Sequence, residues 1–369
     1  MKKILINGCM ITKQPTGVAI HNIEILRNLI PKLVKNHFEF DIYCYDKSSL
    51  NFIENKDNIK HIGLPIFYET LLSNFPSIHR IFWNFFYLKK ISNNYDKILS
   101  LSTYGCFGSK KQIITIHDLI SLQYPKQHFF QYIYFKFLVP LLLKDCKNII
   151  AISEFTASEV MKHYNIYKNQ KINIIKNGID HIKDHSTILS DKYVDTLINN
   201  DKYILSIGAA YHHKNIGRLI SALQLIKLKG IKTIIIGKKS GYFNKLIKRA
   251  NKTNLNNIIF LDYINSSILS SLYKKASLHV YISLYEGFGF PPAEAIYHHT
   301  NSLISNKTAL FEVYGNLLPM VEPTDVKQIA NGINNYSYHN TSNSKDFENL
   351  KEKYNWNNAS ELVLELLQQ

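Results

Sequence analysis

Short apolar segments alternate with helical stripes along this chain, and the scheme runs through twice. Apolar runs lie at residues 3–7, 38–45, 97–101, 112–117, 148–152 and 171–175, each strand-sized and followed by loop residues. Between the first two, Ile20, Ile23, Leu26, Ile30 and Leu33 give residues 17–35 a helical stripe. The second half restarts with strands at 203–208, 232–237, 258–263 and 278–283, and helices at 215–229, 267–275 and 291–297. Such alternation predicts an α/β protein with largely parallel sheets.

A length of 369 residues is long for one core and suits two domains. Two Rossmann-like halves are therefore expected, residues 1–180 and 201–355. Residues 181–200 are polar without a clear period and read as a linker, and the apolar positions of 359–367 predict a last helix within 356–369. Hydrophobic residues make up 46% and charged residues 20%, which excludes a disordered chain. Cys9, Cys44, Cys106 and Cys146 are scattered, so neither a zinc site nor a disulfide framework is expected, and a reducing compartment is. No apolar run is long enough to span a bilayer. The start, with Asn7 and Gly8 after a short apolar run, reads as a first strand and not as a signal peptide.

The net charge of +16 suits a polyanionic partner, nucleic acid or an anionic bilayer. The plain alternative is lysine accumulation on a solvated surface, since the chain is rich in Lys, Asn and Ile throughout. No nucleic-acid-binding signature is found, and no nucleic-acid partner is expected. Aromatic and basic residues interleave at 81–90 and 128–138, a mixture that suits a membrane interface and, equally, a pair of core-packed helices.

Chemistry concentrates in residues 283–295, Ser-Leu-Tyr-Glu-Gly-Phe-Gly-Phe-Pro-Pro-Ala-Glu-Ala. Gly287 and Gly289, around Phe288, let the backbone come close to a ligand. After Phe290, Pro291 and Pro292 start a helix, whose N-terminus offers N–H groups and a partial positive charge to a phosphate. Glu294, one turn in, can accept hydrogen bonds from a diol such as ribose, and Glu286 faces whatever the loop holds. The arrangement fits a nucleotide-sugar; the plain alternative is a tight turn with two surface glutamates. Lys214, between a strand and a helix, can neutralise a diphosphate, or it is an ordinary helix-start lysine. His117 can donate to a sugar hydroxyl, or it is a core histidine satisfied by Asp118 or by backbone. Gly17 lets the first helix approach a phosphate or an acceptor, or it is a flexible turn. His117, Gly208 and Glu286 each follow a predicted strand, where open parallel sheets bind ligands.

Six segments in order carry a resemblance: Thr16-Gly17-Val18, Thr115-Ile116-His117-Asp118-Leu119, Ile152-Ser153-Glu154-Phe155-Thr156, Asn177-Gly178-Ile179-Asp180, Ile207-Gly208 through Lys214-Asn215, and the Glu286/Glu294 pair around Gly-Phe-Gly. Together they resemble the retaining glycosyltransferases of family 4, which have the two-domain GT-B fold. The resemblance implies two Rossmann-like domains facing across a cleft, with the last helix crossing back to the first domain. It implies Glu286, His117 and Lys214 as catalytic residues. It implies Gly17, Gly208, Lys214, Gly287, Phe288, Gly289, Phe290 and Glu294 as donor-binding residues. It also implies transfer of a mannose-like hexose from a nucleotide-diphosphate sugar to a glycan or lipid-linked acceptor, as in bacterial surface polysaccharide or O-antigen assembly at the cytoplasmic membrane face. Retention would proceed on the front face, with the leaving diphosphate helping to deprotonate the acceptor. One departure stands out: Ala209 and Ala210 lie where many members place an arginine, with His212 and His213 before Lys214 and Arg218 one turn into the helix. No Asp-x-Asp motif occurs, and His181 and His185 lie without a third ligand, so metal-independent catalysis without a cofactor is expected. An epimerase of the same fold, or a non-catalytic carbohydrate-binding protein on a transferase scaffold, are the competing expectations.

Overall fold

The computed structural model describes residues 2–12, 16–63, 76–199, 201–226, 231–253, 255, 257–336 and 344–369. The chain divides into two compact units, Met1–Gly178 with Tyr354–Gln369, and Ile179–Lys353. Each unit is built on one wholly parallel sheet.

In the first unit the strands are β1 (Lys3–Gly8), β2 (Glu39–Cys44), β3 (Ile59–His61), β4 (Lys97–Ser100), β5 (Gln112–Ile116), β6 (Asn148–Ala151) and β7 (Lys171–Ile174), in the order β3-β2-β1-β4-β5-β6-β7. Ile4, Leu5, Ile6, Ile98, Leu99, Ile114 and Ile116 are fully buried, as expected of strands covered on both faces. In the second unit they are β8 (Lys202–Ile207), β9 (Ile231–Ile236), β10 (Ile258–Leu261), β11 (Leu278–Tyr281), β12 (Ser302–Ser305) and β13 (Met320–Val321), in the order β10-β9-β8-β11-β12-β13. The strand order reverses direction between β1 and β4, and again between β8 and β11. These are the switch points at which doubly wound sheets hold ligands.

Helix α1 (Gly17–Lys35) begins with Thr16, whose hydroxyl accepts from the Ala19 N–H at 3.4 Å. Its buried stripe includes His21, Asn22, Ile25, Leu26, Leu29 and Leu33. The last helix of the chain packs on α1, so the C-terminal segment is part of the first unit. There Trp356 is fully buried, and Lys32 of α1 reaches Glu361 at 2.7 Å.

The stretch 181–200, expected as a linker, is instead part of the second unit and holds helix α2 (Ile188–Ile198). Thr187 and Ser190 form a capping box at its start, and Asn199 ends it in the left-handed conformation. The helix hides its period from the sequence because it buries Ser190, bonded to Ser271 at 2.7 Å, while Ile188 and Leu189 are 76% and 80% exposed. Val194 and Ile198 anchor it in a core with Tyr203, Leu205 and Leu272. The helix expected over 215–229 is α3 (Ile216–Ile226), and residues 227–230 lie outside the described residues.

The two aromatic stretches are helical in the first unit, and each contains a π-turn, Trp83–Tyr87 and Tyr134–Leu138. Trp83, Leu88, Tyr134, Val139 and Leu142 join the core. The opposite positions face outward: Phe85, Phe86, Phe129, Phe130, Phe137 and Leu141 are 43% to 59% exposed. One face of these helices is therefore core and the other is apolar surface.

Candidate functional site

The loop after β8 is shaped by small residues. Gly208 has φ +98°, and a Cβ there would lie 3.1 Å from Cγ and Cδ of Lys214. The glycine thus adopts a conformation closed to most residues and leaves room for the lysine stem. The Gly208 and Ala209 N–H groups both donate to the Ile236 carbonyl, at 2.8 and 3.0 Å. A Cβ on Gly237 would sit 2.6 Å from the Ala209 nitrogen, so β9 closes tightly on this loop. After a short turn, Asn215 takes a left-handed φ of 63°. Its side-chain amide donates to the carbonyls of Ile282 (3.1 Å) and Pro323 (2.6 Å), pinning the loop to the end of β11. Ser283 Oγ and the Leu284 N–H donate to the His213 carbonyl at 3.0 and 2.7 Å.

These bonds bring Lys214 to Glu286. The ammonium donates to Glu286 Oε1 at 2.6 Å and to the Tyr281 hydroxyl at 2.6 Å, and Tyr281 donates to the same Oε1 at 2.8 Å. The side chains of Lys214 and Glu286 are 17% and 12% exposed, so the pair is largely withdrawn from water. Burial pushes the Glu286 carboxyl upward, but the Lys214 ammonium, His213 and hydrogen bonds more than offset it, and its pKa is lowered. Burial raises the pKa of Glu294, with the Tyr273 hydroxyl acting against the rise. Two carboxyls eight positions apart in one turn are thus driven in opposite directions, a pattern that separates a fixed anion from a group that keeps its proton longer.

Between them, the Glu286 N–H donates to Thr308 Oγ1 at 3.2 Å and the Gly289 carbonyl accepts from the Tyr314 hydroxyl at 2.6 Å. Gly289 has φ +89°, and a Cβ there would meet Leu310 at 2.6 Å, so only glycine fits. Helix α4 (Phe290–Tyr297) follows, with Phe290 and not Pro291 as its first residue. Pro291 and Pro292 occupy its second and third positions, and neither carries an N–H. Of its first three positions only Phe290 offers an N–H. The rings of Phe288 and Phe290 are buried, 5.2 Å apart, and Phe290 packs edge-on to His181. Those two residues can face a ligand only through their backbone.

Arg218, a candidate substitute for the arginine replaced at Ala209 and Ala210, donates to Asn215 Oδ1 at 2.9 Å. It braces the residue that pins the loop.

The remaining sequence candidates, His117 and Gly17, lie in the first unit. His117 follows β5 and donates from Nε2 to the Leu101 carbonyl, just past β4, at 2.9 Å. Backbone satisfies this histidine, and Asp118 does not: its carboxylate accepts from the Ile120 N–H at 3.0 Å and shapes the loop. Burial lowers His117 to about 4, opposed by the Leu101 hydrogen bond, so it is a neutral imidazole near pH 7. Gly17 is the first residue of α1, and one turn later His21 sets its ring 4.5 Å from that of His117. His21 bonds Asn177 at 2.8 Å and packs against Trp356 at 5.6 Å.

His21, Tyr281 and Asn215 were not singled out as site residues by sequence reasoning. Asn215 and Asn177 lie inside the segments that carry the family resemblance, but nothing in spacing announces what a side-chain amide will hold. All four cysteines are buried free thiols, and among the described residues no group of three His, Cys, Asp or Glu is placed to hold a metal ion.

Comparison with known proteins assigns both halves of the chain. Residues 24–183 match the profile of Glycosyltransferase Family 4, and residues 191–357 that of Glycosyl transferases group 1. The O-antigen chain mannosyltransferase RfbU of Salmonella typhimurium is 29% identical over 255 residues, covering 69% of this chain and 68% of that protein. The serotype-specific mannosyltransferase WbdA of Escherichia coli is 30% identical over 235 residues; the match covers 59% of this chain but only 28% of WbdA. Among solved structures, sucrose-phosphate synthase of Thermosynechococcus elongatus superposes with a TM-score of 0.73 at 16% identity, covering 100% of this chain and 99% of that one. Anabaena HepE in complex with UDP and glucose gives 0.70 at 14% identity, covering 100% of each. These last two likenesses are of fold.

Proposed function

The chain belongs to the glycosyltransferases that join a family 4 domain to a group 1 domain, and from that premise we propose that it transfers a mannose-like hexose, with retention, from a nucleotide-diphosphate sugar to a glycan or lipid-linked acceptor of a surface polysaccharide. The observation that carries this reading is the Lys214–Glu286 pair at the switch point between β8 and β11. A cation for a diphosphate and an anion for a sugar stand within 2.6 Å of each other, where a nucleotide-sugar would present both groups.

In this reading Lys214 and the amides of Gly287, Phe288, Gly289 and Phe290 take the diphosphate. Gly208 gives the lysine its path, and Glu294 accepts from the ribose. Glu286 holds the hexose and stabilises the positive charge that develops at its anomeric carbon. His117, whose Nε2–H is taken by the Leu101 carbonyl, positions the sugar as a neutral acceptor through Nδ1, and Gly17 admits the phosphate or the acceptor. Protein groups then act by positioning and by fixed charge, with the leaving diphosphate helping to deprotonate the acceptor. Lys214 supplies the charge that a divalent ion would bring, so turnover is expected to survive a chelator. Mannosyltransferase relatives disfavour the epimerase alternative.

The outward aromatics of the two π-turn helices, with Lys89, Lys90, Lys136 and Lys144 on the same stretches, support docking on an anionic bilayer at the cytoplasmic face. Among the described residues no helix is long and apolar enough to cross a membrane. Flotation with phosphatidylglycerol vesicles tests this, and protein left wholly at the bottom counts against it.

The donor class is tested by thermal stabilisation with GDP, UDP, dTDP and ADP, without metal, on wild type and Glu294→Ala. A ligand at about 100 times its dissociation constant adds roughly 2.7 kcal/mol. A selective shift with one nucleotide, reduced in the variant, supports the reading; no shift with any of them rejects it.

A further inference from the structure

The Tyr281 hydroxyl touches both members of the charged pair, and its own proton has only one direction open to it. An ammonium donates and never accepts. The Tyr281 oxygen, 2.6 Å from Lys214 Nζ, must therefore accept from it, and the phenol proton is directed to Glu286 Oε1 at 2.8 Å. Lys214 donates to that same oxygen at 2.6 Å, closing a ring of three hydrogen bonds. The phenol is buried in the second unit, 4% exposed at the last residue of β11, where it stacks on His279 at 5.8 Å.

We propose that Tyr281 is the positioning residue of this site, holding Glu286 in place and ionised when Lys214 turns toward a diphosphate. The proposal rests on the function proposed above. With no anion bound, Glu286 is the counter-ion of Lys214. When a diphosphate takes the lysine, the carboxylate loses part of its partner in a site with little water. The Tyr281 hydroxyl then supplies a hydrogen bond that does not depend on the lysine. Hydrogen bonds to charged groups are about twice as strong as neutral ones, and such a bond favours the ionised form of its acceptor. The groups facing Glu286 are Lys214 and His213 from the loop after β8, Tyr281 from β11, and Ser283 and Thr308 from the flanking segments. Tyr314 and Glu294 act in turn on Tyr281.

The test compares full-length wild type with Tyr281→Phe, which keeps the ring and removes one oxygen. Release of nucleoside diphosphate, with water taking the hexose in place of the glycan acceptor, is followed with GDP-mannose, UDP-glucose, dTDP-glucose and ADP-glucose. For the donor that wild type uses, kcat is expected to fall about tenfold or more while the donor KM changes less than about threefold. The acid limb of the kcat–pH profile should move upward, because the carboxylate has lost a donor. Should the variant not fold, site-specific 3-fluorotyrosine at 281, a stronger donor of the same shape, should move that limb downward. An unchanged kcat and acid limb in Tyr281→Phe, or an unmoved limb with fluorotyrosine, overturns the proposal. Wild type that turns over none of the four donors overturns both this and the function it rests on, whereas active wild type with a fully active Tyr281→Phe overturns this alone.

Discussion

The two units repeat one plan and furnish their strand ends with opposite chemistry. Both sheets are parallel and reverse their strand order once. At the end of β5 in the first, His117 is buried, neutral and bonded to backbone, with His21 beside it bonded to an amide. At the ends of β8 and β11 in the second, an ammonium and a carboxylate meet directly, with a phenol bonded to both. One topology therefore presents either uncharged hydrogen-bonding shape or stored charge. The difference follows from what each loop must desolvate. A neutral imidazole needs one partner to be buried, whereas a buried ion needs a counter-ion and further hydrogen bonds.

The largest expected effect breaks the neutral side. Trp356→Ala removes the ring that supports His21 and should lower unfolding stability by about 3–5 kcal/mol, measured by denaturant unfolding. A loss below about 1 kcal/mol would mean that the last helix is not part of the first unit's core. On the charged side, Glu286→Ala should reduce turnover about 100-fold while leaving nucleotide affinity within about threefold, since a group acting in the transition state affects kcat. Unchanged turnover would remove Glu286 from the site. Gly208→Ala places a side chain at φ +98° against the Lys214 stem. It should cost about 1–3 kcal/mol of stability and weaken the thermal shift by nucleotide; a neutral effect would show that Lys214 does not need this path.

The smallest effect is in pH. His117 is lowered from 6.5 to about 4, so between those values the unfolded chain binds more protons than the folded one. Stability from this group is fully present above about 6.5 and is lost as pH falls toward about 4. His181 and His298, also lowered to about 4 by burial, add to the same slope from the second unit. His117→Gln should flatten part of the Tm–pH curve over that range, and an unaltered slope would mean that His117 is not held neutral by burial.

Much of the site was legible in the chain because it depends on local rules. A glycine that must take a positive φ, a lysine between strand and helix, and a carboxylate on each side of a tight turn are written in order, and Gly208, Lys214, Glu286 and Glu294 lie where those rules put them. The helix start was less legible: Pro291 and Pro292 announce a helix, yet the structure begins it at Phe290, and the prolines take N–H groups away. Helix α2 was hidden because its buried face contains Ser190 and its exposed face Ile188 and Leu189. Hydrophobic periodicity reports only apolar faces, and a serine pair in a core reads as surface.

The sequence by itself determined the two parallel-sheet halves, their order along the chain and the residues that can bear charge near strand ends. Those follow from periodicity and backbone sterics, which act over a few residues. Only the tertiary structure decided what each side chain meets. Tyr281 reaches Lys214 and Glu286 because β11 lies beside β8 and Asn215 ties the intervening loop to Ile282. The last helix joins the first unit because Trp356 buries itself against His21 of α1. Contacts between residues 67 or 335 positions apart depend on how sheets and helices close, and no local pattern encodes that closure.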